Sequence, residues 1–332
     1  MTLQSREQPL LDVRHLRVEF PTRHGPLLAL DDVSFQIMPG EILGVVGESG
    51  AGKSLTGASI IGLLDPPGRI AAGEIWLEGQ RIDQLPNEQM RKIRGRKIGA
   101  IFQDPLTSLN PLYTVGRQII ETIRTHLDVS ESEARKRAIA LLQETGISAA
   151  EARIDQYPHQ FSGGMRQRVV IALALAAEPK LIVADEPTTA LDVSVQAQII
   201  ELLKNMGRRH GSAVMLITHD MGVIAEACDR VAVMYAGRIA EIGPVADVIH
   251  RPAHPYTVGL MGAIPSMEED RERLLQIEGS MPRLNATPKG CPFNPRCPKA
   301  FDRCFVERPD LMPAPATMAA CWLNAGVEKQ AA

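Results

Sequence analysis

A glycine-rich segment with a single lysine offers the first recognisable chemistry. Residues 47–54 read GESGAGKS, which matches the pattern G-x-x-x-x-G-K-[ST]. Glycines let backbone N–H groups close around phosphate oxygens, and a helix that starts here adds a favourable dipole. The lysine reaches the terminal phosphates in such loops, and the final hydroxyl binds Mg²⁺. The segment therefore predicts a nucleotide-phosphate site, with these binding residues: Gly47, Ser49, Gly50, Gly52, Lys53 and Ser54.

Two adjacent carboxylates follow an apolar run later in the chain. Residues 181–186 read LIVADE, so the acids stand where a buried strand would end. An acid at this point in a phosphate-loop protein holds Mg²⁺ or its water, which is the role expected of Asp185. Glu186, one residue further, is expected to activate the attacking water as a general base.

Short apolar runs without alternation indicate how these residues are positioned. They occupy residues 42–46, 181–184, 214–217 and 231–234, with helical stretches between them. Continuous apolar runs of this length are typical of parallel strands covered on both faces. The sequence therefore predicts an α/β fold of the phosphate-loop NTPase type.

The rest of the chain divides by pattern and composition. Residues 10–102 are predicted to be rich in strands, with one helix after Lys53 that ends at 65–68. Residues 104–178 are predicted to be mostly helical, and the clearest helix starts at the capping-box pair Ser130 and Glu133. Beyond residue 250 lie 11 of the 24 prolines. We expect a nucleotide-binding domain over 1–250, with a helical subdomain at 104–178, and a separate Cys/Pro-rich extension over 251–332.

Composition excludes several classes of protein. With 45% hydrophobic and 23% charged residues, the chain has the make-up of a folded globular protein. A net charge of −3 gives no reason to expect nucleic acid as a partner. The longest apolar run, residues 169–177, is far shorter than the roughly 20 residues of a transmembrane helix. The N-terminal residues lack the pattern of a secretory signal, so we expect a cytosolic protein that can still dock on a membrane protein.

A small-residue turn between the two phosphate-site segments gives the first family resemblance. Residues 161–165 read FSGGM and lead into a predicted helix, a good place for an anion. Placed between the phosphate loop and the Asp-Glu pair, this turn makes the chain resemble the nucleotide-binding subunits of ABC transporters, whose signature usually reads LSGGQ. The resemblance implies that Ser162, Gly163 and Gly164 contact the nucleotide bound to a second subunit.

Four further residues match landmarks of that family in order. The resemblance implies that Gln103 binds Mg²⁺ or the attacking water, and that Asp192 lies in the loop that crosses to the other subunit. It also implies that His219 touches the γ-phosphate and that Phe20, 27 residues before Gly47, stacks on adenine.

Four of the five cysteines lie in the extension, at Cys291, Cys297, Cys304 and Cys321. Their spacing leaves several interpretations open. Disulfides are disfavoured in the cytosol. A Zn²⁺ site usually has closely spaced cysteine pairs, which are absent here. An iron–sulfur cluster also takes four thiolates and accepts wider spacing.

The extension itself resembles one branch of the family. Residues 251–257 (RPAHPYT) and 291–298 (CPFNPRCP) look like the C-terminal extension of ATPase subunits from dipeptide and oligopeptide ABC importers, with nickel importers as relatives. The resemblance implies a [4Fe–4S] cluster held by the four cysteines, with Zn²⁺ as the alternative.

The resemblance also implies a function and partners. Two ATP molecules would be sandwiched head to tail between this chain and a second, similar ATPase subunit, in a heterodimer. The pair would bind two membrane permease subunits at the cytoplasmic face of the membrane, as a peripheral component. An extracytoplasmic solute-binding protein would deliver dipeptides or oligopeptides. The alternatives are the ATPase of a nickel or other small-solute importer, and a soluble ABC ATPase acting on nucleic acid or ribosomes.

Overall fold

A computed structural model describes residues 8–189, 192–263 and 276–326 of the chain. In chain order, the strands are β1 (Leu11–Thr22), β2 (Gly25–Ile37), β3 (Ile42–Val46), β4 (Arg69–Leu77), β5 (Gln80–Arg81), β6 (Ile98–Ile101), β7 (Leu181–Asp185), β8 (Ala213–Ile217), β9 (Arg230–Tyr235), β10 (Arg238–Pro244), β11 (Met312–Pro313) and β12 (Met318–Ala319). The helices are α1 (Lys53–Ile61), α2 (Asn87–Ile93), α3 (Pro105–Ser108), α4 (Val115–His126), α5 (Glu131–Glu144), α6 (Ala150–Arg153), α7 (Gly163–Leu175), α8 (Val193–His210), α9 (Met221–Ala227), α10 (Val245–His250), α11 (Pro255–Gly262) and α12 (Asp302–Val306).

The described residues form two compact units. Within the described residues, the first unit draws on 8–11, 36–42 and 76–217, and the second on 12–35, 43–75 and 218–326. The loop at 47–54 therefore belongs to the second unit, while the Asp-Glu pair at 185–186 belongs to the first.

The first unit contains three parallel strands. β7 pairs with β6 on one side and with β8 on the other, both in parallel. All five residues of β8 are buried, and β7 is buried up to Ala184. The prediction of parallel strands covered on both faces is confirmed here. Five helices, α3 to α7, fall within 104–178.

Helix α5 forms as its sequence predicts. The Ser130 hydroxyl accepts a hydrogen bond from the Glu133 N–H at 3.2 Å and so caps the helix. Its buried residues, which are Ala134, Ala138, Leu141 and Leu142, form one apolar stripe. The chain leaves the helix through Gly146, whose φ of 79° is easy only for glycine.

The second unit contains the strand that precedes the glycine-rich loop. β3 is buried throughout and pairs in parallel with β9. β10 turns back antiparallel to β9. The helix after this loop is shorter than predicted, because α1 ends at Ile61 and Gly62 adopts a left-handed conformation with φ of 67°. Gly62 is a better stop signal than the Asp-Pro-Pro-Gly run three residues later.

The C-terminal residues extend the sheet of the second unit. β12 pairs antiparallel with β10, and β11 pairs with β12. Glu241 of β10 is fully buried, and its carboxylate accepts hydrogen bonds from the Ala253 and His254 N–H groups and from the Thr317 hydroxyl, at 2.8–3.0 Å. A buried carboxylate needs such partners, so this set fixes the C-terminal segments on β10. Within the described part of the chain, no helix has the length and apolar character needed to cross a membrane.

A buried histidine caps helix α11. Nδ1 of His254 accepts the Tyr256 N–H at 3.0 Å. Burial lowers the pKa of His254 to about 4, and a hydrogen bond with the Ala320 backbone opposes this shift only in part. The imidazole is therefore neutral near pH 7, and protonation would convert the capping acceptor into a donor.

We expect acid to destabilise the second unit through His254. The folded pKa of about 4 lies below the unfolded value of about 6.5, so the stabilisation is complete above pH 6.5 and is lost as the pH falls towards 4. The loss amounts to about 3 kcal/mol. Urea unfolding at pH 7 and at pH 4.5 measures it, with His254→Asn as the matched variant that keeps a capping oxygen without titrating. Equal losses in both proteins would remove His254 as the cause.

Candidate nucleotide-binding site

The glycine-rich loop runs from the end of β3 into α1 and needs glycine at both ends. Gly47 has φ of 153°, and a Cβ there would lie 2.2 Å from the backbone oxygen of Met234 in β9. Gly52 has φ of 102°, and a Cβ there would lie 2.6 Å from Leu30 Cδ2. The backbone beside Gly47 cannot give way to a side chain, whereas the Leu30 side chain beside Gly52 could shift. The positive φ favours glycine at both positions.

Lys53 lies inside this loop rather than in solvent. Its side chain is buried, and Nζ donates to the Gly47 oxygen at 2.8 Å and to the Glu48 oxygen at 3.2 Å. Ser54 follows in the first turn of α1 and is exposed. A buried ammonium at the start of a helix is a strong attractor for an anion, as the motif predicts.

His219 and Phe20 also belong to the second unit. The N–H of Thr218 donates to the Val45 oxygen at 3.1 Å, which fixes the residue before His219 beside the end of β3. His219 itself is exposed. Phe20 is half-buried in β1, and its ring covers Gly68, where an added Cβ would lie 2.8 Å from Phe20 Cε1.

In the first unit, two of the three predicted catalytic side chains are in direct contact. Nε2 of Gln103 donates to Oε2 of Glu186 at 3.1 Å. The Thr189 hydroxyl donates to the same oxygen at 2.9 Å, a contact that the sequence analysis missed. Glu186 has φ of 46°, an unusual value for a residue with a side chain. Asp185 precedes it as the last residue of β7 and is half-buried.

The predicted signature and crossing loop both lie at helix N-termini of the first unit. Ser162 caps α7, and its hydroxyl accepts the Met165 N–H at 3.4 Å. Asp192 caps α8, where hydrogen bonds from the Val195 N–H and the Ser194 hydroxyl lower its pKa. Ser162, Gly163 and Asp192 are exposed, and Gly164 is half-buried. Residues 190 and 191 of the predicted crossing loop lie outside the described residues.

The expected metal cluster of the extension is not supported, and that prediction is wrong. The four cysteines line one small pocket. Among the described residues, however, no three or more His, Cys, Asp or Glu side chains form a group that could hold a metal ion. Burial raises the pKa of Cys291 to about 11 and also raises that of Cys297 and Cys321, which favours neutral thiols over the thiolates that a [4Fe–4S] cluster or Zn²⁺ requires.

The structure thus groups the predicted residues by unit. The second unit holds the glycine-rich loop, His219 and Phe20, and the first holds Gln103, the Asp-Glu pair, the signature and Asp192. Two residues of the second unit that received no role from the sequence, Tyr256 and Arg296, contact Glu48 of the loop. Tyr256 lies in the segment 251–257 and Arg296 in the segment 291–298. In the sequence, only the family resemblance of these segments pointed to a functional role.

Family models match two parts of the chain. The model described as "ABC transporter" matches residues 30–189. The model described as "Oligopeptide/dipeptide transporter, C-terminal region" matches residues 240–304. The second match covers most of β10 and residues 251–304 of the extension.

Individual proteins match over most of the chain. The dipeptide transport ATP-binding protein DppD of Escherichia coli K12 is 48% identical over 302 residues, covering 91% of this chain and 92% of DppD. The oligopeptide transport ATP-binding protein OppD of the same strain is 46% identical over 319 residues, covering 96% and 94%. Among solved structures, the ATP-binding cassette MJ0796, a dimer bound to ADP and Pi, superposes with a TM-score of 0.64 at 30% identity, covering 71% of this chain and 98% of that one.

Replacement of Lys53 by alanine is expected to abolish measurable ATP binding, because it removes the one buried cation of the loop. Isothermal titration with Mg·ATP measures the affinity. Lys136→Ala, on the exposed face of α5, is the matched control and should bind as the unmodified protein does. Unchanged affinity in Lys53→Ala would refute the assignment of this loop.

Proposed function

The chain belongs to the ABC transporter family, among the dipeptide and oligopeptide transport ATP-binding proteins, and on that premise we propose that it binds and hydrolyses ATP to power peptide import. One observation carries the proposal. Lys53 is buried in a glycine-rich loop between a parallel strand and a helix, which is the architecture that binds nucleotide phosphates.

Glu186 is the proposed general base. Gln103 and Thr189 both donate to Oε2 of its carboxylate, so the side chain is held in one orientation. The carboxylate can then accept a proton from water as it attacks the γ-phosphate. His219 is proposed to donate a hydrogen bond to that phosphate, and Phe20 to stack on the adenine.

The donor set suits Mg²⁺. Ser54, Gln103 and Asp185 offer a hydroxyl, an amide and a carboxylate oxygen, and Mg²⁺ prefers such oxygen ligands. When bound, Mg²⁺ neutralises charge that develops on the phosphate oxygens. Lys53 adds a second positive charge from inside the loop.

A second, similar ATPase subunit is the proposed partner across the nucleotide. Ser162 and Gly163 expose the N-terminus of α7, whose N–H groups favour an anion. Asp192 is exposed at the start of α8. These groups are proposed to contact ATP held by the partner's glycine-rich loop, and MJ0796 supports the idea because its structure is described as dimeric.

Permease subunits are the proposed partners of an exposed apolar segment beside Gln103. Leu112 is 77% exposed and Leu106 is 62% exposed. Phe102 and Tyr113 are exposed as well. Large apolar side chains clustered along one exposed segment are typical of an interaction site. We propose that a permease subunit docks here, one of the two that the pair of ATPase subunits binds at the cytoplasmic face of the membrane, and that a solute-binding protein delivers the peptide.

Glu186→Gln is expected to bind Mg·ATP with nearly unchanged affinity and to lose at least about a hundredfold in turnover, since it removes the general base. Phosphate release at saturating ATP measures the turnover. Glu121→Gln, on the exposed side of α4, is the control. Full turnover in Glu186→Gln would assign the base to another residue.

Leu112→Asp is expected to leave the ATPase activity of the isolated chain intact and to abolish ATP-driven dipeptide uptake by the assembled transporter in proteoliposomes. A charge in an apolar contact opposes docking. Leu28→Asp changes a residue that is 40% exposed in β2 and should leave uptake unaffected. Normal uptake by Leu112→Asp would remove this segment from the permease contact.

Uptake of nickel but not of dipeptides by the unmodified assembly would favour the alternative importer class.

A further inference from the structure

We propose that two residues of the C-terminal region, Tyr256 and Arg296, make the glycine-rich loop competent to bind ATP. They act through Glu48, the second residue of the loop: Tyr256 positions its backbone, and Arg296 neutralises its carboxylate. The inference rests on the proposed ATP-binding function and adds to it a role for the C-terminal region in nucleotide affinity. All the residues that carry it belong to the second unit.

Tyr256 holds the backbone of Glu48. Its hydroxyl oxygen accepts the Glu48 N–H at 2.9 Å. The ring is completely buried and packs against Tyr235 and Phe293, with centroid distances of 4.7 and 5.5 Å. Burial raises the pKa of Tyr256, so the hydroxyl stays neutral. A buried, packed phenol is a rigid acceptor, and the Glu48 peptide is fixed with it.

Arg296 holds the side chain of Glu48. Its Nη1 donates to Oε2 of Glu48 at 2.9 Å, and the Arg296 side chain is only 7% exposed. The same guanidinium is anchored by two C-terminal backbone oxygens, with Nε 2.8 Å from that of Glu278 and Nη2 3.3 Å from that of Ile277. Arg296 therefore connects the loop to the backbone of residues 277–278.

The loop needs this connection because Glu48 places a negative charge where phosphate binds. The Lys53 ammonium donates to the Glu48 backbone oxygen, so the residue lies directly beside the phosphate-binding cation. An unpaired carboxylate at this position would repel the phosphates and compete for Lys53. The ion pair with Arg296 neutralises that carboxylate and turns it towards the C-terminal region.

Two possible roles of Arg296, charge neutralisation and packing, predict different affinities for Mg·ATP. If Arg296 neutralises Glu48, replacing both residues by neutral ones should restore the affinity that is lost when Arg296 alone is replaced. If Arg296 only fills space or anchors the C-terminal region, Glu48→Gln cannot compensate for its loss. The pair is therefore tested by a double-mutant cycle.

The experiment measures the dissociation constant for Mg·ATP in the full-length chain by isothermal titration. Arg296→Gln is expected to raise it about tenfold, since one member of a mostly buried pair is removed. Glu48→Gln and the double variant Glu48→Gln with Arg296→Gln are expected to stay within about threefold of the unmodified protein. In the assembled transporter, turnover of Arg296→Gln at saturating ATP should be unchanged, because the reacting groups remain.

The outcomes separate the inference from the function on which it rests. No ATP binding by the unmodified chain would refute the proposed function. Normal binding by Arg296→Gln, or a loss that Glu48→Gln does not reverse, would overturn the inference alone. If Arg296→Gln does not fold, Tyr256→Phe serves instead: it keeps the ring and removes the acceptor. It should raise the dissociation constant about threefold or more, and an unchanged value would overturn the inference.

Discussion

A loop that binds phosphate must present backbone N–H groups without side chains in the way, and here the neighbouring strand enforces this. β9 lies directly beside β3, with Val46 paired to Val233. The next residue of β9, Met234, brings its carbonyl so close to Gly47 that a Cβ has no room. The register of two buried strands therefore sets the path of the loop. Lys53 then follows at the start of α1, with its ammonium enclosed by the loop that it serves.

The C-terminal region depends on the same sheet. Glu241 of β10 attaches this region to the sheet, because a fully buried carboxylate is stable only when its oxygens accept hydrogen bonds. Its donors come from 253–254, before the first of the four cysteines, and from Thr317, between Cys304 and Cys321. The chain is thus fixed to β10 at two points, and Tyr256 and Arg296 lie between them. Cysteines 291, 297, 304 and 321 meet around one pocket for the same reason, without forming a group that could hold a metal ion.

Local features were predictable from the sequence, and distant contacts were not. The buried strands, the glycine-rich loop and the cap of α5 follow from short patterns whose physics lies within a few residues. The end of α1 is predicted less well, because the proline run at 65–68 is a more conspicuous stop signal than Gly62, where the helix actually ends. The contacts of Glu48 with Tyr256 and Arg296 span 208 and 248 residues, and no periodicity encodes them. The spacing of the cysteines likewise indicated candidate metal ligands. Whether the four thiols come together depends on the path of the chain between them, which the spacing does not determine.

The first unit shows how a partner could act on the chemistry without touching the nucleotide. Gln103 contacts the proposed base, and it follows Phe102, the first residue of the exposed apolar segment. Glu186 is held in a strained backbone conformation, with its N–H bonded to the Ile217 oxygen at 2.9 Å. Its main chain is therefore fixed, while Gln103 and Thr189 both donate to its carboxylate. Under the proposed function, a permease docked on the segment at 102–113 would act on the base through the Gln103 hydrogen bond.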